Sequence, residues 1–200
     1  MKILSPAQIR ALDAYTIANE PIKSIDLMER ASIAFVSWFV KQFPDAERSP
    51  IKIFCGPGNN GGDGLAVARL LNRKAYAVEV YICAIGNKRS VDFEKNLKRI
   101  PSRRGLPVLT IKEGNKFPAF EKNAILIDAI FGSGLNRPIT GYWAELIQYL
   151  NDLPNQMVSI DIPSGLFAEA STESDCIQAD YTLSFQLPKL AFSFQKIKIE

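Results

Sequence analysis

The sequence predicts an α/β fold: a parallel sheet covered by helices on both faces. Three observations carry that expectation. From residue 51 onward, short continuous apolar runs alternate with helical periodicities, the pattern of strands buried on both sides. The first run ends in a glycine-rich stretch, Cys55-Gly56-Pro57-Gly58-Asn59-Asn60-Gly61-Gly62-Asp63-Gly64, and an apolar-periodic segment follows at once. Glycine costs backbone entropy, so such a cluster needs a geometric reason, and close approach of the backbone to a polar or anionic ligand at a helix start is the expected one. Finally, 200 residues at 47% hydrophobic content suit one globular domain, residues 1–200, with a substantial core.

The elements follow in order. Ser5 before Pro6 reads as an N-cap with proline at the first helical position, and Ile9, Leu12, Tyr15 and Ile17 form a rough apolar stripe. A second helix starts at Ser24. Its apolar positions Leu27, Met28, Ala31, Ala34, Phe35, Trp38 and Phe39 recur at helical spacing until Phe43-Pro44 stops it. Trp38 and the nearby Phe residues read as core or dimer contacts. Strand 51–55 leads through the glycine loop to helix 63–73 and strand 77–83. A charged helix at 90–99 and a short strand at 107–110 come next. Strand 124–128 precedes a second glycine-containing loop, Phe131-Gly132-Ser133-Gly134-Leu135-Asn136-Arg137-Pro138. Helix 142–150, strand 157–161, the turn Ile162-Pro163-Ser164-Gly165 and strand 181–185 complete the order. In parallel sheets ligands bind outside the carboxyl ends of the strands. The loops starting near Gly56, Ala129 and Ile162 all leave such ends, so the fold brings them to one rim.

Composition narrows the chemistry. The 24 basic and 21 acidic residues give a net charge of +3, too mild to imply nucleic acid or a membrane surface, though it suits a small anionic metabolite. The absence of histidine excludes histidine triads, histidine-ligated zinc and imidazole acid/base catalysis, leaving carboxylates, Lys, Tyr or Cys. Cys55, Cys83 and Cys176 have no C-x-x-C spacing; a disulfide scaffold is not expected and a reducing cytoplasm is. The N-terminus lacks a signal-peptide apolar core, and the longest apolar stretch, 31–40, is too short to span a bilayer. A soluble cytoplasmic protein is predicted.

The first loop fits neither familiar phosphate loop. No Gly-Lys pair exists for a P-loop, and a G-x-G-x-x-G register on Gly56, Gly58 and Gly61 lacks a suitably placed acidic residue after the next strand. Its polar content sets it apart: Asn59, Asn60 and Asp63 either bind a ligand or build turns. Asp128 and Asp161 end predicted strands, where they either cap the following segment or form a site. Together with amide and hydroxyl oxygens they suit a hard cation, or one of them serves as acid/base. The basic region Lys88, Arg89, Lys95, Lys98, Arg99, Arg103 and Arg104 reads first as a solvated face.

Three stretches taken together, Gly56 to Gly64, Asp128-Ala129-Ile130-Phe131-Gly132-Ser133-Gly134 and Ser159-Ile160-Asp161-Ile162-Pro163-Ser164-Gly165, resemble the YjeF N-terminal domain family. The likeness runs from the opening helix to 179–185 and Pro188-Lys189, nearly the whole chain. It implies a Rossmann-like three-layer αβα sandwich with a mostly parallel central sheet and leading N-terminal helices. The implied activity is NAD(P)H-hydrate epimerisation, an isomerase reaction in nicotinamide nucleotide repair. By the same resemblance, Asn59, Asn60, Gly61, Gly62 and Asp63, with Gly132, Ser133, Gly134, Leu135, Asn136, Arg137 and Pro138, contact the damaged dinucleotide. One potassium ion (K+) takes Asn60, Asp128 and Ser164 as ligands, and Asp161 meets the hydrated nicotinamide. A homodimer through the leading helices is implied. The chain ends at Glu200 where family domains continue to a further strand, which suggests the N-terminal part of a multifunctional enzyme with a C-terminal dehydratase.

The implied substrate, NADHX or NADPHX, carries a hydroxyl beside the ring nitrogen. Protonation expels it as water, and the planar iminium takes water back from either face. With no histidine available, Asp161 is the expected acid/base. A protonated carboxyl near neutral pH needs desolvation or a neighbouring negative charge. Two other readings stand beside this one: a non-catalytic nucleotide- or protein-binding scaffold, as in family members tied to apolipoprotein binding or messenger-RNA decapping, and an ordinary nucleotide-dependent oxidoreductase.

Overall fold

Helices and strands alternate as the apolar pattern requires. A computed structural model describes residues 3–101, 105–170, 172 and 175–193. The chain opens with α1 (Pro6–Asn19) and α2 (Ser24–Gln42), and continues through β1 (Ile51–Cys55), α3 (Asn59–Arg73), β2 (Val78–Cys83), α4 (Val91–Arg99), β3 (Val108–Ile111), β4 (Ile125–Ala129), α5 (Tyr142–Asp152), β5 (Gln156–Ile160) and β6 (Tyr181–Leu183). Short 3-10 turns occupy Ala46–Arg48 and Leu190–Ser193. At α1 the expected cap is a full capping box: the Gln8 amide donates to Ser5 Oγ at 3.2 Å and the Ser5 amide donates to Gln8 Oε1 at 2.9 Å.

The strands form one sheet in the order β3-β2-β1-β4-β5-β6, and every pairing is parallel. Side-chain alternation divides the core in two. Ile51, Ile53, Ile125, Ile127, Val158 and Ile160 face α2 and α3 with Phe35, Phe39, Leu65 and Leu71. Phe54, Leu126 and Met157 face α5 with Leu146, Ile147 and Leu150. That is the expected three-layer sandwich. The order reverses between β1 and β4, so their outgoing loops part at the topological switch point and leave a crevice there.

Several expected boundaries move. Trp38 belongs to the core, tilted against Phe35 and edge-on to Phe43 and Tyr181. The stripe on α1 is only partly covered: Ile9 is buried, but Tyr15 is 66% exposed. The largest shift is at α3, which begins at Asn59 rather than residue 63, so most of the glycine loop is the first turn of the helix. No helix among the described residues is long and apolar enough to cross a membrane.

Candidate active site

Backbone packing around the start of α3 accounts for two glycines of this stretch, Gly56 and Gly61. A Cβ on Gly61 would lie 1.8 Å from the carbonyl oxygen of Gly56, and one on Gly56 would lie 1.8 Å from that of Ile130. Backbone from β1, α3 and the loop after β4 is therefore stacked at a separation that no side chain permits. The expectation that ligand approach demands these glycines is corrected here: protein backbone demands them at both positions. Gly58, by contrast, has open space where its Cβ would be and lines the cleft.

That cleft, about 1060 Å³, runs between α1, α2 and the carboxyl ends of the strands, a size suited to a large metabolite. Of the residues expected to touch substrate, Asn59, Asn60, Asp63, Gly132, Ser133, Gly134, Leu135 and Asp161 line it. Gly61 and Gly62 are buried within the first turn of α3, and Asn136, Arg137 and Pro138 lie outside the lining. The two glycines are helical because α3 starts early, and Asn136, Arg137 and Pro138 are exposed.

Beneath the floor, Asp128 on β4 is fully buried. Sheet register puts it beside Ser159 of β5, whose hydroxyl donates to Oδ2 at 2.9 Å. The Ser164 amide adds a second bond to Oδ2 at 2.8 Å, while the Ile130 amide at 3.1 Å and the Ser164 hydroxyl both donate to Oδ1. Burial pushes the Asp128 carboxyl upward, against the pull of these donors from Ser164, Ile130 and Ser159. The structural reading of Asp128 is thus satisfied, since it ties the loops after β4 and β5 together. The Phe131 amide donates to Ser164 Oγ at 2.8 Å, and Asn60 Nδ2 donates to the Phe131 carbonyl at 2.8 Å. Asn60 Oδ1 is the exception. It is buried without a partner among the described residues, and an orphaned acceptor of this kind is costly unless a cation or donor meets it. Among the described residues no group of three or more His, Cys, Asp or Glu could hold a metal. The available donor set is neutral oxygens around one carboxylate, which fits a hard cation of low charge.

Asp161 follows β5 and sits at φ +67, a left-handed conformation that Asp tolerates better than most residues. Its amide donates to the Leu183 carbonyl at 2.9 Å. One carboxylate oxygen, Oδ1, accepts from the Phe185 amide at 3.0 Å and from Lys189 Nζ. Lys189 is 1% exposed, and it also donates to Ser184 Oγ at 2.9 Å and to the Phe185 carbonyl at 3.0 Å. All three ammonium protons are placed. The other oxygen of Asp161, Oδ2, has no hydrogen-bond partner among the described residues and belongs to the cleft-lining side chain. Sequence reasoning assigned Lys189 no task; the one available signal was its place in the terminal Pro188-Lys189 match.

Other acidic groups face the same space. Asp13 on α1 accepts from Gln186 Nε2, and burial raises its carboxyl, with Gln186 and Lys189 opposing and Asp161 reinforcing the rise. The described part of the basic region, Lys88, Arg89, Lys95, Lys98 and Arg99, is exposed. Arg89 stacks over Phe93 and meets Glu94 at 3.2 Å, Lys95 meets Asp92 at 2.9 Å, and Arg99 meets Glu29 at 3.7 Å. Arg103 and Arg104 lie outside the described residues. Cys55 and Cys83 are buried in strands, where burial holds both thiols protonated.

Comparison with known proteins gives this cleft a setting. The model of the family described as YjeF-related protein N-terminus matches residues 24–191. An NAD(P)H-hydrate epimerase of Limosilactobacillus fermentum is 36% identical over 93% of this chain and 86% of its own length. The enzyme of that name from Anaerococcus prevotii is 34% identical over 94% of this chain and 87% of its own. A bifunctional NAD(P)H-hydrate repair enzyme Nnr from Thermofilum pendens is 32% identical over 95% of this chain, which spans 36% of that relative. The crystal structure of yeast ynu0 superposes with a TM-score of 0.83 at 24% identity, over 100% of this chain and 86% of that one, a likeness of fold.

Proposed function

The chain belongs to the YjeF N-terminal family, and from that premise we propose that it is an epimerase acting on hydrated NADH and NADPH, with Asp161 as an acid/base at the hydrated ring. Relatives that align along most of both chains are named for this activity. The observation that supports the role of Asp161 is its geometry: Oδ1 is held by Lys189 and the Phe185 amide while Oδ2 is left for the cleft.

The substrate is a hemiaminal. Protonation of its hydroxyl releases water as the ring nitrogen lone pair forms an iminium, and water added to the opposite face gives the other epimer. The chain must supply proton transfer, a fixed ring position and restricted access of bulk water. Asp161 Oδ2 moves the proton. Asn59 and the open backbone at Gly58, at the start of α3, favour the anionic diphosphate. Asn60 Oδ1, with Asp128 and Ser164, would hold a potassium ion, which when bound supplies positive charge that orients oxygens and joins the loops.

Two further assignments belong to the same reading. The exposed Leu12, Tyr15 and Ile33 on α1 and α2 support a homodimer through the leading helices. Alignment with the repair enzyme Nnr supports fusion to a dehydratase, in a cytoplasmic setting where damaged nucleotide arises.

The deciding experiment follows the two epimers by chromatography. Wild-type protein should interconvert them, and Asp161→Asn should lose about 10²–10⁴-fold in kcat while folding and dinucleotide binding persist. Turnover near the wild-type level in that variant would remove Asp161 from its role. Tight binding of undamaged NAD accompanied by hydride transfer would favour an oxidoreductase instead.

A further inference from the structure

We propose that Asp63 is a second acid/base residue of this cleft: it holds the proton given to the departing hydroxyl, and Asp161 accepts the proton of the returning water. The proposal rests on the epimerase reading. Epimerisation through an iminium needs a donor in one half of the cycle and an acceptor in the other, so one carboxylate must otherwise change state between halves.

The two carboxylates are built differently. Asp161 is part of an ammonium–carboxylate pair with the buried Lys189, the arrangement of a proton acceptor. Asp63, one turn into α3, lines the same cleft, and no hydrogen bond or ion pair among the described residues engages its carboxyl. Asp63 is half-buried, and an unpaired carboxyl in such a place favours its neutral form. Burial pushes it well above the ordinary carboxylate range, and the charges of Asp161, Asp13 and Asp92 push it further. Those neighbours come from the segment after β5, from α1 and from α4. Among the described residues the cations around the cleft are otherwise occupied or outward: Arg30 of α2 pairs with Glu20 at 2.7 Å, Lys95 and Arg99 of α4 pair with acids, Lys189 serves Asp161, and Arg10 of α1 is exposed. Asn60, 7% exposed and one turn earlier on α3, lines the same cleft with its Oδ1 unpartnered among the described residues.

The step balances. The Asp63 O–H bond breaks as its proton joins the hydroxyl, the C–O bond breaks with its electron pair leaving in water, and the nitrogen lone pair forms C=N. Then water bonds to the same carbon, Asp161 takes one of its protons, and the C=N π pair returns to nitrogen. Proton exchange with solvent returns the acid to Asp63 and the charge to Asp161.

The sign of the pH dependence follows. Asp63 works while protonated, so wild-type kcat should fall as pH rises through its raised pKa. Asp63→Asn should lower kcat about 10²–10⁴-fold and flatten that alkaline limb, and Asp63→Glu should restore part of the rate and the limb together. Thermal unfolding of each variant checks the fold. A folded Asp63→Asn protein that keeps its rate or its alkaline limb overturns the proposal, as does a folded Asp63→Glu protein no better than Asp63→Asn. Should Asp63→Asn fail to fold, Asp63→Glu decides: an alkaline limb displaced from the wild-type position supports the acid role, and one left in place overturns it. Wild-type protein unable to interconvert the epimers overturns the epimerase reading and this proposal with it, whereas an active wild type beside an unaffected Asp63→Asn overturns this proposal alone.

Discussion

Lys189 uses all three ammonium protons inside the protein, on Asp161 Oδ1, Ser184 Oγ and the Phe185 carbonyl. With no donor left over, it acts on substrate only through the carboxylate it holds. Lys189→Met should therefore lower kcat by roughly 10²-fold through misplacement of Asp161 and change KM little. Steady-state kinetics separate the two parameters, and a raised KM at unchanged kcat would assign Lys189 to substrate binding. Asp161 itself was legible as a candidate because a carboxylate at a strand end stands out. Lys189 was not, because its meaning depends on a bond across 28 residues of chain to a group whose free oxygen faces the cleft.

At the scale of the element, the first turn of α3 shows where residue counting misleads. Gly61 and Gly62 look like a ligand-binding loop, yet they are helical and buried. Gly61→Ala must displace the backbone at Gly56, so it should cost about 1–3 kcal/mol of stability, read from the midpoint of urea unfolding. Gly58→Ala, with open space around it, should stay within roughly 0.5 kcal/mol. Equal effects at both positions would contradict the backbone-stacking account. The strands were placed to within one or two residues because buried parallel strands read as apolar runs. The start of α3 was misplaced because glycine and asparagine propensities argue against helix, and tertiary packing against β1 and the loop after β4 overrides them.

For the whole molecule, the strand order brings β1, β4 and β5 side by side, so Asn60 is joined through Phe131 to the Asp128–Ser164 pair although these residues span more than half the chain. A potassium ion there would bind the folded state only and stabilise it by linkage, about 2.7 kcal/mol at a hundredfold excess over Kd. Replacing choline chloride by potassium chloride should then raise Tm by several degrees, on the order of 2–4 °C per kcal/mol for a domain of this size. Asn60→Leu should abolish the difference, and an identical Tm in both salts for the wild type would remove the ion from the site. The same order closes the far end of the sheet around Lys52, 4% exposed on β1, with Glu79 at 2.9 Å and Glu121 at 3.2 Å.

Periodicity, caps and residue types, all properties of neighbours along the chain, were enough to establish the layered α/β architecture, the rim where the loops gather, and the exclusion of histidine chemistry. The three loop motifs carried the family as well. Contact across the sheet decided the rest: which glycines serve packing and which face the cleft, that both Asp128 oxygens accept hydrogen bonds while Asn60 Oδ1 has no partner among the described residues, and that Lys189 holds Asp161 while none of the described residues pairs with Asp63. These are matters of distance, burial and charge between residues far apart in sequence, and such quantities exist only once the chain has closed on itself.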